Sequence, residues 1–115
     1  MEKQDRIDLY KEALEKWGEE AQVNMLNEEL GELITAVAQF KRGRTSHHDV
    51  MTELADVFIM VEQIATMMNY DDFEKELERK LIRLRDDKLR NDNDYYNRFN
   101  FSISWIDTYN TNYRH

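Results

Sequence analysis

The stretches Glu28-Glu29-Leu30-Gly31-Glu32 and Glu53-Leu54-Ala55-Asp56 decide how this chain reads. Each sets two carboxylates three residues apart inside a run whose apolar residues recur at helical spacing. On a helix, residues three apart lie on one face, about a turn from each other. Glu29 therefore stands beside Glu32, and Glu53 beside Asp56. Two such helices packed side by side bring four carboxylates to one place. Four like charges repel, so the arrangement calls for a cation. Carboxylate oxygens are hard ligands that suit Mg²⁺ or Mn²⁺.

Outward from these motifs the chain reads as four helices. The first covers about residues 2–17, with Ile7, Tyr10, Leu14 and Trp17 on one stripe and Gly18 at its end. The second runs over about 19–42, with a stripe of Leu26, Leu30, Leu33, Val37 and Phe40. At about 100° per residue, Glu29 and Glu32 border that stripe and Glu28 lies further round. Gly31 sits inside this helix, where close approach of another helix would explain it. Gly43 closes it within the basic cluster Lys41-Arg42-Gly43-Arg44, which the helix dipole favours at a C-terminus.

Ser46 with Asp49 forms a capping-box pattern for a third helix over about 48–68. Its stripe is Val50, Leu54, Val57, Val61, Ala65 and Met68, with Phe58 flanking. Glu53, Asp56 and Met60 lie to one side, offset in the same sense as Glu29 and Glu32. Asp71 with Glu74 suggests the cap of a fourth helix, about 72–90, with Phe73, Leu77, Leu81 and Leu84 inward and Lys80 and Arg83 on its flank. From about Asn91 the pattern changes. Phe99, Phe101, Ile103 and Trp105 alternate with polar residues, as in a strand. The expected division is an all-α domain over 1–90 and a C-terminal extended tail over 91–115, a strand or assembly arm.

Composition narrows the function. The 115 residues fit one small domain, and three Gly with no Pro favour long helices. A net charge of −8 is a poor footprint for gripping polymeric nucleic acid, yet it is compatible with a small phosphorylated ligand held through a metal. With no cysteine there is neither a disulfide framework nor a Cys-based zinc site. The charged N-terminus has no apolar signal core, and no apolar run is long enough to span a bilayer. A cytoplasmic location is expected. His47 and His48 are adjacent and share no helix face, and no ExxH spacing is present, which disfavours a di-iron bundle.

Four inward carboxylates with Mg²⁺ would bind a triphosphate through shared metal and hold a water for attack on phosphorus. Glu29, Glu32, Glu53 and Asp56 supply metal ligands, and Glu28 or Glu32 a base. Lys41, Arg42, Arg44, Lys80 and Arg83 can meet phosphate charge. A catalytically silent bundle that binds nucleotide, metal or a protein partner is the alternative reading.

EExxE followed some twenty residues later by ExxD resembles the MazG-like family of all-α nucleoside triphosphate pyrophosphohydrolases, a superfamily that includes the dimeric dUTPases. The flanking strings Trp17-Gly18-Glu19-Glu20-Ala21-Gln22, Phe40-Lys41-Arg42-Gly43-Arg44 and Val57-Phe58-Ile59-Met60 are similar to small, phage-type members, and the likeness covers roughly 15–90. The resemblance implies a four-helix bundle completed by oligomerisation as a homodimer or homotetramer. It implies Mg²⁺-dependent cleavage of a nucleoside triphosphate to monophosphate and pyrophosphate, with Glu29, Glu32, Glu53 and Asp56 as metal ligands and Lys80 and Arg83 as a phosphate pair. The motif does not fix the base-binding residues, for which Trp17, Gln22 and Asn24 are the candidates.

Overall fold

A computed structural model describes residues 1–89. They form four α-helices in chain order: α1 (Lys3–Trp17), α2 (Glu19–Lys41), α3 (His47–Met68) and α4 (Tyr70–Leu89). The described residues are all-α, as their periodicity leads one to expect. The expected strand over 99–105 lies outside the described residues. No described helix is long and apolar enough to cross a membrane.

Local chemistry sets the helix ends. Gly18 takes φ +84°, a left-handed conformation open to glycine, and breaks α1 from α2 with no intervening loop. Gly43 (φ +69°) turns the chain after α2, its N–H donating to the Phe40 carbonyl at 2.9 Å. The capping box at α3 forms as the sequence suggests: the Asp49 N–H donates to Ser46 Oγ (3.1 Å) and the Ser46 N–H to Asp49 Oδ2 (3.4 Å). The cap of α4 differs from expectation. Asn69, not Asp71, caps it, with Oδ1 accepting from the Asp72 N–H at 3.1 Å. Asn69 follows α3 directly and alone separates it from α4, so the turn is two residues shorter than the sequence suggests, and Glu74 instead meets Lys3 at 2.6 Å.

Helix α3 is the centre of the bundle. It packs most extensively on α2, then on α1, and less on α4. The buried side chains are Ile7, Tyr10, Gln22, Phe40, Val50, Met60, Glu62 and Ala65. The inward faces largely follow the apolar stripes: Phe40 is buried and Leu26, Leu33 and Val37 half-buried on α2, and Val50 and Ala65 are buried and Val57 and Val61 half-buried on α3. On α2 the covered line runs through Gln22, Glu29, Leu33 and Phe40, while Leu30 is exposed. On α3 Met60 is buried and Glu53, Asp56 and Val57 half-buried, whereas Leu54, Phe58 (57 % exposed) and Met68 face out. Both helices thus meet on the side that carries their carboxylates. Leu30, Leu54 and Met68 depart from the expected stripes because each helix has apolar residues on more than one side, and period alone does not say which side finds a neighbour within the chain.

One polar cluster ties three helices together. Glu62, 2 % exposed, accepts from Arg6 Nε (2.9 Å), Arg6 Nη2 (3.2 Å), the Tyr10 hydroxyl (2.8 Å) and the Tyr70 hydroxyl. Burial alone would push the Glu62 carboxyl up. The hydrogen bonds from Arg6, Tyr70 and Tyr10 outweigh it and hold the group below the usual carboxylate value. In return, burial and then the Glu62 hydrogen bond push Tyr10 and Tyr70 up to about 12. Tyr70 also meets the Phe73 ring edge-on, with centroids 5.7 Å apart.

A candidate metal centre between the second and third helices

The α2–α3 contact brings together carboxylates far apart in the chain. One oxygen from each of Glu29, Glu53 and Asp56 lies within 4.8 Å of the others. All three side chains are half-buried. Glu29 Oε2 and Glu53 Oε2 are shut off from solvent and have no hydrogen-bond partner among the described residues. A buried carboxylate oxygen without a donor is costly, so its presence asks for a proton or a cation.

The electrostatics agree. Burial, then the charges of Glu32 and Asp56, raise the Glu29 carboxyl above its ordinary value. Glu53 is raised by burial, then by Glu32 and Asp56. Three oxygen donors of one hard type, two of them unsatisfied, fit a small divalent cation such as Mg²⁺ or Mn²⁺. Glu32 is exposed and borders the cluster. Asp49, whose own carboxyl is held low by hydrogen bonds from Thr45 and Ser46, also bears on Glu53.

A groove of about 920 Å³ opens beside the cluster. Glu28, Gly31, Glu32, Thr35, Ala36 and Gln39 of α2 line one wall. Thr45, His48, Asp49, Thr52 and Glu53 line the other. Its size is within the range of small-molecule sites. A Cβ on Gly31 would meet nothing within 4 Å. Close helix approach therefore does not explain this glycine, which instead forms part of the groove floor.

Other sequence candidates are placed elsewhere. Among the described residues, no Lys or Arg lines the groove. Lys41 and Arg44 are exposed at and beyond the end of α2, and Lys80 and Arg83 are exposed on α4, where Arg83 lies 3.9 Å from Asp87. Trp17 is exposed, with Lys16 Nζ 5.2 Å from its ring centre. Asn24 is exposed and Gln22 buried. Sequence reasoning missed the hydroxyl and amide groups of Thr35, Gln39, Thr45 and Thr52 in the groove, because isolated Thr and Gln carry no signal without the fold. It also missed Glu62, although a signal existed: Glu62 is the lone charge between Asp56 and Asp71. Compared with known proteins, the chain matches no family model, no curated sequence and no solved structure.

Proposed function

We propose that the protein is a Mg²⁺-dependent nucleoside triphosphate pyrophosphohydrolase of the MazG-like kind, acting in the cytoplasm as a homodimer or homotetramer. The observation that carries this reading is the meeting of Glu29, Glu53 and Asp56 with two buried carboxylate oxygens unpartnered. These three, with Glu32 at the rim, would hold the ion, and Mn²⁺ is an acceptable substitute. A bound Mg²⁺ would supply Lewis-acid polarisation of phosphate oxygens and a more acidic water.

The remaining chemistry falls to the chain. Water oxygen attacks the α-phosphorus, the bond from that phosphorus to the bridging oxygen breaks, and pyrophosphate leaves. Glu28 or Glu32, both exposed in the groove, would take the water proton. The Gln39 amide, and the Thr35 and Thr52 hydroxyls, which donate to the Gly31 and His48 carbonyls (3.0 Å each) and keep lone pairs to accept, suit sugar and base edges rather than phosphate. Lys41, Arg44, Lys80 and Arg83 remain the cations for phosphate charge, and Trp17, Gln22 and Asn24 the sequence-based candidates for the base.

A second reading, a silent bundle that binds metal, nucleotide or a protein partner, is favoured by one observation: no Lys or Arg among the described residues lines the groove. Incubation with Mg²⁺ and a panel of canonical and modified nucleoside triphosphates, with pyrophosphate as the readout, separates the two. Product that disappears with Glu53→Gln, while helical circular dichroism is unchanged, supports the enzyme. No product from any substrate with a well-folded protein sinks it.

A further inference from the structure

The groove between α2 and α3 has few hydrogens to give a ligand. Glu28, Glu32, Asp49 and Glu53 bring carboxylates, which only accept when ionised. The three hydroxyls use their hydrogens within the chain. Thr35 donates to the Gly31 carbonyl and Thr52 to the His48 carbonyl (3.0 Å each), and Thr45 donates to Asp49 Oδ2. That leaves, among the described residues, two lining side chains with an N–H to offer: the Gln39 amide and the His48 imidazole. Of the two, the imidazole alone can also carry positive charge. Phosphate oxygens are strong acceptors that bear negative charge, so His48 is their match.

Position supports the pairing. His48 is exposed on the α3 wall, in the first turn of that helix, where the dipole favours an anion. It precedes Glu53 by five residues and Asp56 by eight, roughly 8 and 12 Å along the axis. A ligand with one phosphate at the carboxylate cluster reaches it only through further phosphates. The neighbouring acid is occupied by the helix cap: Asp49 Oδ2 accepts from the Thr45 hydroxyl and from the Ser46 N–H (3.4 Å). Hydrogen bonds from Thr45 and Ser46, and after them the charge of His48, hold the Asp49 carboxyl below its usual value, so Asp49 and His48 attract.

We propose that His48 binds the terminal phosphate of a nucleoside triphosphate whose α-phosphate sits at the Glu29–Glu53–Asp56 cluster. The phosphate chain follows the α3 wall and leaves the α2 wall, with Gln39, to the nucleoside. A diphosphate ends one phosphate short of the imidazole, so His48 selects three phosphates over two. The imidazole donates in either protonation state, through one N–H when neutral and two when charged. The nature of the substrate rests on the pyrophosphohydrolase reading. The contact itself does not, because inorganic tripolyphosphate reports it without turnover.

Steady-state kinetics on the full chain with Mg²⁺ test it, using a triphosphate that the chain hydrolyses and the diphosphate of the same nucleoside as a competing inhibitor. His48→Ala should raise KM for the triphosphate about tenfold to a hundredfold, the scale of one lost hydrogen bond to a charged group, with kcat nearly kept. The inhibition constant of the diphosphate should hardly move. His48→Lys restores a donor and a cation and should recover most of the loss. A merely structural role, through Asp49 and the cap of α3, would lower Tm and weaken both ligands alike. Titration calorimetry of the Mg²⁺-loaded chain with inorganic tripolyphosphate runs in parallel, and His48→Ala should weaken that binding about tenfold. An unchanged KM in His48→Ala, or an equal loss on both nucleotides, overturns the inference and leaves the hydrolase reading standing. A chain that hydrolyses nothing sinks the hydrolase reading. Calorimetry then decides the contact: weaker tripolyphosphate binding in His48→Ala retains it, and equal binding or none overturns it.

Discussion

Replacing Glu62 with Gln should destabilise the fold severely without touching the groove. The carboxylate is 2 % exposed and accepts four hydrogen bonds, from Arg6, Tyr10 and Tyr70. Hydrogen bonds to a charged acceptor contribute about 1.5–3 kcal/mol each, and breaking a buried charge pair costs about 3–5 kcal/mol. Gln keeps one acceptor oxygen but turns an NH₂ donor toward Arg6, which bonds both oxygens and has no acceptor. Arg6 is partly exposed and recovers hydration, which discounts the loss. The expected penalty is about 3 kcal/mol, a large share of the roughly 5–15 kcal/mol that holds a domain together. For a chain of this size that corresponds to a fall in Tm on the order of 15 °C. Urea unfolding followed by circular dichroism at 222 nm measures it. The same experiment on Tyr70→Phe and on the double variant tests the coupling: the double should lose less than the sum of the singles. A Glu62→Gln protein within about 0.5 kcal/mol of wild type would refute the view that this cluster clamps α1 and α4 to α3.

Other outcomes follow from the same geometry. Because Glu62 is held below its usual value, its contribution to stability is present above the unfolded carboxylate pKa. It should be lost as pH falls through the lower folded value, and Glu62→Gln should flatten that acid limb. Tyr10 and Tyr70 should titrate near 12, read by absorbance at 295 nm; their contribution fades from the ordinary value of 10 up to about 12, and both should drop in Glu62→Gln. Glu29 and Glu53 are raised, so without a cation they favour the folded state at low pH and oppose it as pH rises through their elevated values. Mg²⁺ or Mn²⁺ at neutral pH should therefore raise Tm, and at a hundredfold excess over Kd the gain is about 2.7 kcal/mol. Glu29→Gln should raise the metal-free Tm and lose the metal-induced rise; an equal metal-induced rise in this variant would remove Glu29 from the site.

Much of the fold is legible in the order of the residues. Helix starts and stops are local chemistry: Gly18 and Gly43 at positive φ, and the Ser46–Asp49 box, act on their own few residues whatever lies around them. Three-residue spacing likewise puts Glu29 beside Glu32 and Glu53 beside Asp56 before any packing. Packing alone decided the rest. α2 and α3 could have met through Leu30 and Leu54, as their apolar stripes suggest. Their contact brings Glu29, Glu53 and Asp56 together and leaves Leu30, Ile34, Leu54 and Phe58 exposed. Burial of a face depends on which neighbours α3 touches at once, and it touches α1, α2 and α4. The same cause hid Glu62: its three partners come from positions 6, 10 and 70, and only the folded chain brings them to one carboxylate.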